Sequence, residues 1–380
     1  MLNLGLNESQ KELQAKVRAF VEENIMPIEH EYDEKSLFPT TVVEEAHKAG
    51  LLDVVVPKEY GGPGIDTLSL CIINEELGRG DVGMQMAIGG NGLASYPVAF
   101  GGNEEQKKRF YQYILDGKVT GFALTEPAAG SDAGAVQTTA VLDGDEYVLN
   151  GSKCFITSGG YASVITLIAS TDPSKGTKGL SAFILEMDRE GITIGKKEDK
   201  MGIRSSNTVE VILNNVRLPK ENLIGKEGEG FKLSMKTLDS ARLTVGASAL
   251  GVSKRVMEET VKFAKTTIVG GKPLAASQYV QFKIADMAIA IESAQNLIYK
   301  TCYLKDSGQP YSKEAAMSKT LCTDTAMKLS AMAIDLFGPY GYLKESPVEK
   351  LIRDVKVMQI YEGSNEIQRI VISGNVINSF

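Results

Sequence analysis

The 380-residue chain contains no tryptophan, two histidines and four cysteines. His30 and His47 both fall in the N-terminal helical region, away from every motif discussed below. That placement argues against a Ser-His-Asp triad or a histidine-rich zinc site, and no metal site is expected. Acid–base work therefore falls to carboxylates, lysine or tyrosine. Cys71, Cys154, Cys302 and Cys322 show no CxxC spacing, so neither a metal knuckle nor a dithiol motif is indicated. Sparse, scattered thiols fit a reducing cytosol, and a cytoplasmic location is expected. The opening MLNLGLNESQKELQ lacks a basic segment followed by an apolar one, so no signal peptide is read there. Residues 82–103 carry no charge, but Gly89, Gly90, Asn91, Gly92 and Pro97 interrupt them. They read as a buried or ligand-lining helix rather than a membrane span. A surplus of positive charge is also missing. The 41 basic residues face 48 acidic ones, which disfavours nucleic acid as a partner. Hydrophobic residues make up 43% of the chain and charged residues 23%, as in ordinary globular proteins.

The periodicity changes twice along the chain. Asn7 and Gln10 have the spacing of a reciprocal helix cap, and Leu13, Val17, Phe20, Val21 and Ile25 follow as one apolar stripe. More helices are read near 39–49, 67–79, 84–100 and 104–116. From Gly121 the runs GFALTEP, QTTAVL, EYVLNG, SVITLIA, LSAFILE and TVEVILNNV are β-rich, with the hairpin signal Asp143-Gly144 between two of them. After Gly225 helical spacing returns, predicting long helices over 230–266, 274–307, 312–337 and 364–379. The reading is an α+β fold in three parts: helical 1–118, an antiparallel β-barrel or sandwich over 119–225, and a helical bundle over 226–380.

Four segments can carry chemistry, and each has a plainer reading. FALTEPAAGSDAG (122–134) is either a loop that lets a ligand approach exposed N–H groups or an ordinary small-residue loop. KCFITSGG (153–160) offers Phe155 as a flat apolar face beside the Thr157 hydroxyl, or is a strand end with one core aromatic. In QIYEGSNEIQR (359–369), Glu362 precedes Ser364, a candidate helix N-cap. That carboxylate is either a base with a raised pKa or a solvated surface group. Asp239 and Arg242 share a helix face, either for a ligand or as an ion pair.

Together these motifs, with NGSKCFIT, KMGIRSSNT, RLPKENLIGKEGEGF, LDSARL and SPVEKLIRDVKVMQIYEG, resemble the acyl-CoA dehydrogenase family over essentially the whole chain. The likeness is greatest to its short-chain, butyryl-CoA-type branch. The resemblance implies a helical domain, a β domain and a C-terminal four-helix bundle, usually assembled as dimers or tetramers. It implies FAD as cofactor, an acyl-CoA substrate oxidised to its trans-2-enoyl-CoA or the reverse reduction, and an electron-transfer flavoprotein as partner. By position Glu362 corresponds to the base. The alternative base position in a sub-branch is Ala241 here, which cannot serve. Phe122, Leu124, Thr125, Phe155 and Thr157 correspond to residues around the flavin ring. Ser131 matches one at the flavin phosphates and the CoA chain, and Ser364 and Glu366 match cofactor contacts after the base. Asp239, Arg242, Tyr361 and Gly363 correspond to substrate-side positions. By the same analogy Met84, Met86, Ile88 and Leu93 would line the floor of an apolar acyl pocket.

The chain departs from the family pattern in one respect. Where the family usually has Arg-x-Gln-Phe-Gly, reaching the FAD of a neighbouring subunit, this chain has Thr267, Val269 and Gly270. In the later glycine segment, Asp335 replaces glutamine and Pro339 follows Gly338 in place of the second glycine. Thr267 lacks the guanidinium fork, Asp335 adds negative charge, and Pro339 has no N–H to donate. A weak or altered hold on the ADP half of FAD is expected. The competing reading is a non-redox acyl-CoA-binding protein, isomerase-like or an assembly subunit, with a degenerate FAD site.

Overall fold

The computed structural model describes residues 5–379, so the first four residues of the stretch read for a signal peptide lie outside it. The N-terminal helices are α1 (Glu8–Asn24), α2 (Glu29–Lys35), α3 (Thr40–Lys48), α4 (Thr67–Gly80), α5 (Val82–Gly89), α6 (Asn91–Gly101) and α7 (Glu104–Leu115). The cap of α1 forms as its spacing predicts. The Gln10 N–H donates to the Asn7 side chain at 2.9 Å, and the Asn7 N–H donates to the Gln10 side chain at 3.1 Å. The uncharged stretch is two helices that meet at Gly90, with Pro97 inside the second.

Eight strands follow: β1 (Thr120–Ala123), β2 (Thr139–Asp143), β3 (Glu146–Thr157), β4 (Val164–Ser170), β5 (Leu180–Glu186), β6 (Ile192–Lys197), β7 (Thr208–Pro219) and β8 (Leu223–Ile224). They form one sheet in the order β6-β7-β3-β2-β4-β5-β8, with β1 beside β4. Pairing is antiparallel except that β1 runs parallel to β4 and β2 meets β4 at one parallel bridge. Asp143 pairs with Glu146 across Gly144-Asp145, and Gly144 sits at φ 64°, where a side chain would be strained. β4 is buried along its whole length, as a central strand covered on both faces must be.

The C-terminal part comprises α8 (Gly230–Thr266), a small hairpin of β9 (Ile268–Val269) and β10 (Lys272–Pro273), α9 (Gln278–Asp306), α10 (Ser312–Phe337), α11 (Pro347–Met358) and α12 (Asn365–Ile377). Helices α8, α9 and α10 pack together around Leu250, Ile298, Cys322 and Leu329, while α11 and α12 lie against α10.

One buried charge network fixes α11 to the rest of the molecule. The Lys350 ammonium lies 2.5 Å from Asp81 at the start of α5 and 2.7 Å from Asp354. Asp354 in turn accepts the Ile203 N–H at 2.5 Å. All three charged residues are buried, so removing Lys350 would strand two carboxylates away from water. The segment that follows α11 is thereby held against both the β domain and the N-terminal helices.

Candidate active site

The first half of the site is built at the ends of β1 and β3. Lys153 is fully buried and donates to Glu126 at 2.6 Å and to the Leu124 carbonyl at 3.0 Å. Glu126 also accepts the N–H groups of Gln137 (2.7 Å) and Thr138 (3.1 Å). Burial brings the Lys153 pKa down to about 8 despite its partner. This pair closes the loop after β1 into a fixed shape, and the Cys154 N–H ties β3 to the Thr125 carbonyl at 2.9 Å. Between Lys153 and Ile156 the register of β3 shifts, and Phe155 adopts φ 58°. The bulge turns the ring outward, leaving Phe155 62% exposed, so the core-aromatic reading fails. Leu124 is buried, and Phe122, Thr125 and Thr157 are half-buried around it. Ser131 is exposed on the loop. The Thr125 N–H has no protein acceptor among the described residues, and the buried Ser158 hydroxyl has no partner. An exposed aromatic face, two threonines and free donors suit a flat heteroaromatic ring with polar edges.

The second half lies between α11 and α12. The Tyr361 N–H still bonds back to α11, donating to Val357, and Tyr361 is half-buried. Glu362 then adopts φ 56° and Gly363 φ 85°. A left-handed glutamate is strained, and such strain concentrates at functional sites. At Gly363 an added Cβ would come within 2.6 Å of the Gln368 amide nitrogen. Ser364 caps α12, and Glu366 is exposed in its first turn. Glu362 as a whole is half-buried, and its carboxyl turns Oε2 inward. That oxygen is buried and has no hydrogen-bond partner among the described residues. Burial pushes this carboxyl up to about 7, with Lys319 and Arg242 restraining the rise. The solvated-surface reading of Glu362 therefore fails.

Asp239 and Arg242 do form the intrahelical ion pair, with Arg242 buried and Asp239 half-buried, and Ser312 donates to Asp239 at 3.0 Å. Burial lowers the Arg242 pKa while the charges of Asp239 and Glu362 oppose it. The ion-pair reading is thus the one observed.

The two halves are linked through the loop before β7. Asn207 accepts the Ser158 N–H on its carbonyl at 2.8 Å and the Gly160 N–H on its side chain at 2.9 Å. Four residues earlier, Ile203 is bonded to Asp354 on α11. A third group stands apart from both halves. Thr267 ends α8, Gly270 lies at the tip of the small hairpin, and Asp335, Gly338 and Pro339 are exposed at the end of α10. Phe263 stacks on Phe337 at 4.0 Å, which brings the two helix ends together. No hydrogen bond or ion pair joins this group to Glu362 or Thr125 among the described residues.

The expected pocket floor is corrected in part. Met84 is fully buried in the N-terminal core, and Met86 packs toward the C-terminal bundle. Ile88 and Leu93 do border a small cavity, together with Leu52, Leu70, Tyr96 and Thr244. A larger cleft of about 390 Å³ runs from Val54–Thr67 to Tyr96 and Lys305 on α9, a lysine far from this stretch in sequence. No cluster of metal-ligating side chains occurs among the described residues.

Comparison with known proteins decides the family. The N-terminal, middle and C-terminal domain models of acyl-CoA dehydrogenase match residues 7–118, 121–216 and 228–377. The chain belongs to the acyl-CoA dehydrogenase family. A short-chain specific acyl-CoA dehydrogenase of Clostridium acetobutylicum is 43% identical, with 99% of this chain and 100% of that protein aligned. The acryloyl-CoA reductase (NADH) of Anaerotignum propionicum is 41% identical, covering 99% of this chain and 96% of that one. The butyryl-CoA dehydrogenase structure from Megasphaera elsdenii superposes with a TM-score of 0.96 at 40% identity, over 99% of this chain and 100% of that one. A structure named for the electron transferring flavoprotein of Acidaminococcus fermentans gives 0.97 at 42% identity, with the same coverage.

Proposed function

We propose that this family member is a flavin-dependent oxidoreductase that interconverts an acyl-CoA and its trans-2-enoyl-CoA, with Glu362 as the base. The carrying observation is the inward Glu362 carboxyl, raised to about 7 and with one oxygen free of any protein donor. A base of that strength takes a proton from the acyl α-carbon near neutral pH and returns it in the reverse direction. The Glu362 N–H has no protein acceptor among the described residues, so it is free to donate to a thioester carbonyl. Such a donor stabilises the charge that develops there as the proton leaves.

Phe155, Thr125 and Thr157 fit the ring of FAD, which when bound supplies the hydride acceptor. Ser131, Ser364 and Glu366 would meet the cofactor, and Asp239, Arg242, Tyr361 and Gly363 the substrate side. The uncharged stretch of residues 82–103 favours an apolar acyl chain. The relative named for an electron transferring flavoprotein supports such a protein as the redox partner. Exposed apolar side chains on α9 and α12, among them Phe282, Ile289 and Ile370, fit burial in a homodimer or homotetramer. No helix among the described residues is long and apolar enough to cross a membrane. All four cysteines are free, which supports the cytoplasm.

The test is the absorbance spectrum of the purified, FAD-loaded protein. A flavin band that bleaches with butyryl-CoA supports the assignment. A protein that stays colourless and inactive with added FAD would favour the non-redox reading instead.

A further inference from the structure

Lys319, on α10, is fully buried, yet it forms no ion pair with any acid among the described residues. Its ammonium donates instead to the Gly363 carbonyl at 3.1 Å and to the Asn365 side chain at 2.8 Å. Asn365 is itself fixed, donating to Thr323 at 2.9 Å and to Asp324 at 2.7 Å. Gln368 adds a second donor to the same Gly363 carbonyl at 2.8 Å and reaches the Glu362 carbonyl at 3.2 Å. The two left-handed residues are therefore held by their carbonyls from below, and Lys319 is the charged member of that support. An unpaired cation in a buried place needs a compensating charge nearby. Burial lowers the Lys319 pKa to about 8, and the negative charge that opposes this most is that of Glu362.

We infer that Lys319 is a positioning residue for the reaction: it clamps the Glu362–Gly363 turn and supplies the buried positive charge that lets Glu362 ionise at neutral pH. This rests on the assignment of Glu362 as the base. The groups that face Glu362 are Lys319 from α10, Arg242 with its partner Asp239 from α8, the Tyr96 hydroxyl from α6 and the neighbouring Tyr361. Only the first two are cations, and Arg242 is already committed to Asp239. Loss of Lys319 thus removes the one cation near Glu362 that has no other acid bound to it.

The experiment compares Lys319→Arg, Lys319→Gln and Lys319→Met in the FAD-loaded protein. The readout is turnover of butyryl-CoA with an artificial electron acceptor across pH 5.5–9.5. Arginine keeps charge and donors, glutamine keeps only donors, and methionine keeps neither. In the Gln and Met variants the acidic limb moves up by about one pH unit, the scale expected when one nearby opposite charge is lost. Turnover at pH 7 falls about fivefold and recovers in alkali. The Arg variant keeps the wild-type limb. If Met fails to fold, the Arg and Gln pair still separates charge from hydrogen bonding. A limb that stays in place in Gln, or an equal loss of rate at every pH, overturns the inference. A second readout is independent of turnover. Below pH 7, where Lys319 stays charged although burial lowers it to about 8, the pH-dependent part of the stability lost in Lys319→Gln disappears when Glu362→Gln is added, because the group that titrates there is gone. Persistence of that pH dependence in the double variant also overturns the inference. Failure of butyryl-CoA to be turned over by the wild-type protein would instead strike the functional assignment and leave the stability cycle as the test.

Discussion

Replacing Glu362 with glutamine should make the folded protein more stable at pH 8 while removing its activity. The carboxyl is raised from its usual 4.5 to about 7 by burial. At about 1.36 kcal/mol for each pH unit of displacement, ionising it in the folded state costs about 3 kcal/mol. The sign follows from the direction of the rise. Below pH 4.5 the group is protonated in both states and the cost is absent. Between 4.5 and 7 the unfolded chain ionises first, so wild-type stability falls. Above 7 the full cost is present. Glutamine does not titrate, but its amide meets no acceptor beside the buried Oε2 position, which returns roughly 1 kcal/mol at every pH. Urea unfolding of the two FAD-loaded proteins at several pH values reads the difference. The account predicts about 2 kcal/mol in favour of the variant at pH 8, reversing to a slight deficit near pH 5. A difference that does not change with pH would refute the burial argument, whatever its size.

Lys153→Met should destabilise by about 3–5 kcal/mol, because it leaves Glu126 buried and unpaired, and adding Glu126→Gln should recover much of that loss in denaturant melts. Phe155→Ala removes a largely exposed ring and should alter stability by no more than about 0.5 kcal/mol, yet weaken FAD binding several-fold by fluorescence titration. Thr267→Arg should tighten FAD retention on gel filtration by tenfold or more, since a charge-assisted contact is worth about 1.5–3 kcal/mol. Equal retention in the two proteins would show that the departures around Thr267 leave the cofactor unaffected.

Short-range pattern carried much of the fold. The Asn7–Gln10 cap, the turn after Asp143 and the apolar spacing of α8 and α10 depend on residues within a few positions of one another, so they are legible in sequence. The long uncharged stretch shows why the same method fails elsewhere. Its break at Gly90 separates two helices, and Met84 turns into the core rather than toward a ligand, because packing against α3 and α4 decides which face is covered. The supports of the site were less visible still. Lys153 meets Glu126 across 27 positions, and Lys319 meets Gly363 across 44. Lys153 lies between Ser152 and Cys154 and Lys319 between Ser318 and Thr320, neighbours that give no hint of either partner. The clearest available signal was the charge itself, since a lysine on a buried face must find an acceptor or leave the core.

The central claim is that the Glu362 carboxylate removes the proton from the acyl α-carbon. Incubating the FAD-loaded protein with butyryl-CoA in D2O without an electron acceptor, and following deuterium entry at that carbon by mass spectrometry, tests it directly. The account predicts incorporation with wild type that rises through pH 7 and none with Glu362→Gln. Incorporation by the glutamine variant at the wild-type rate would contradict it.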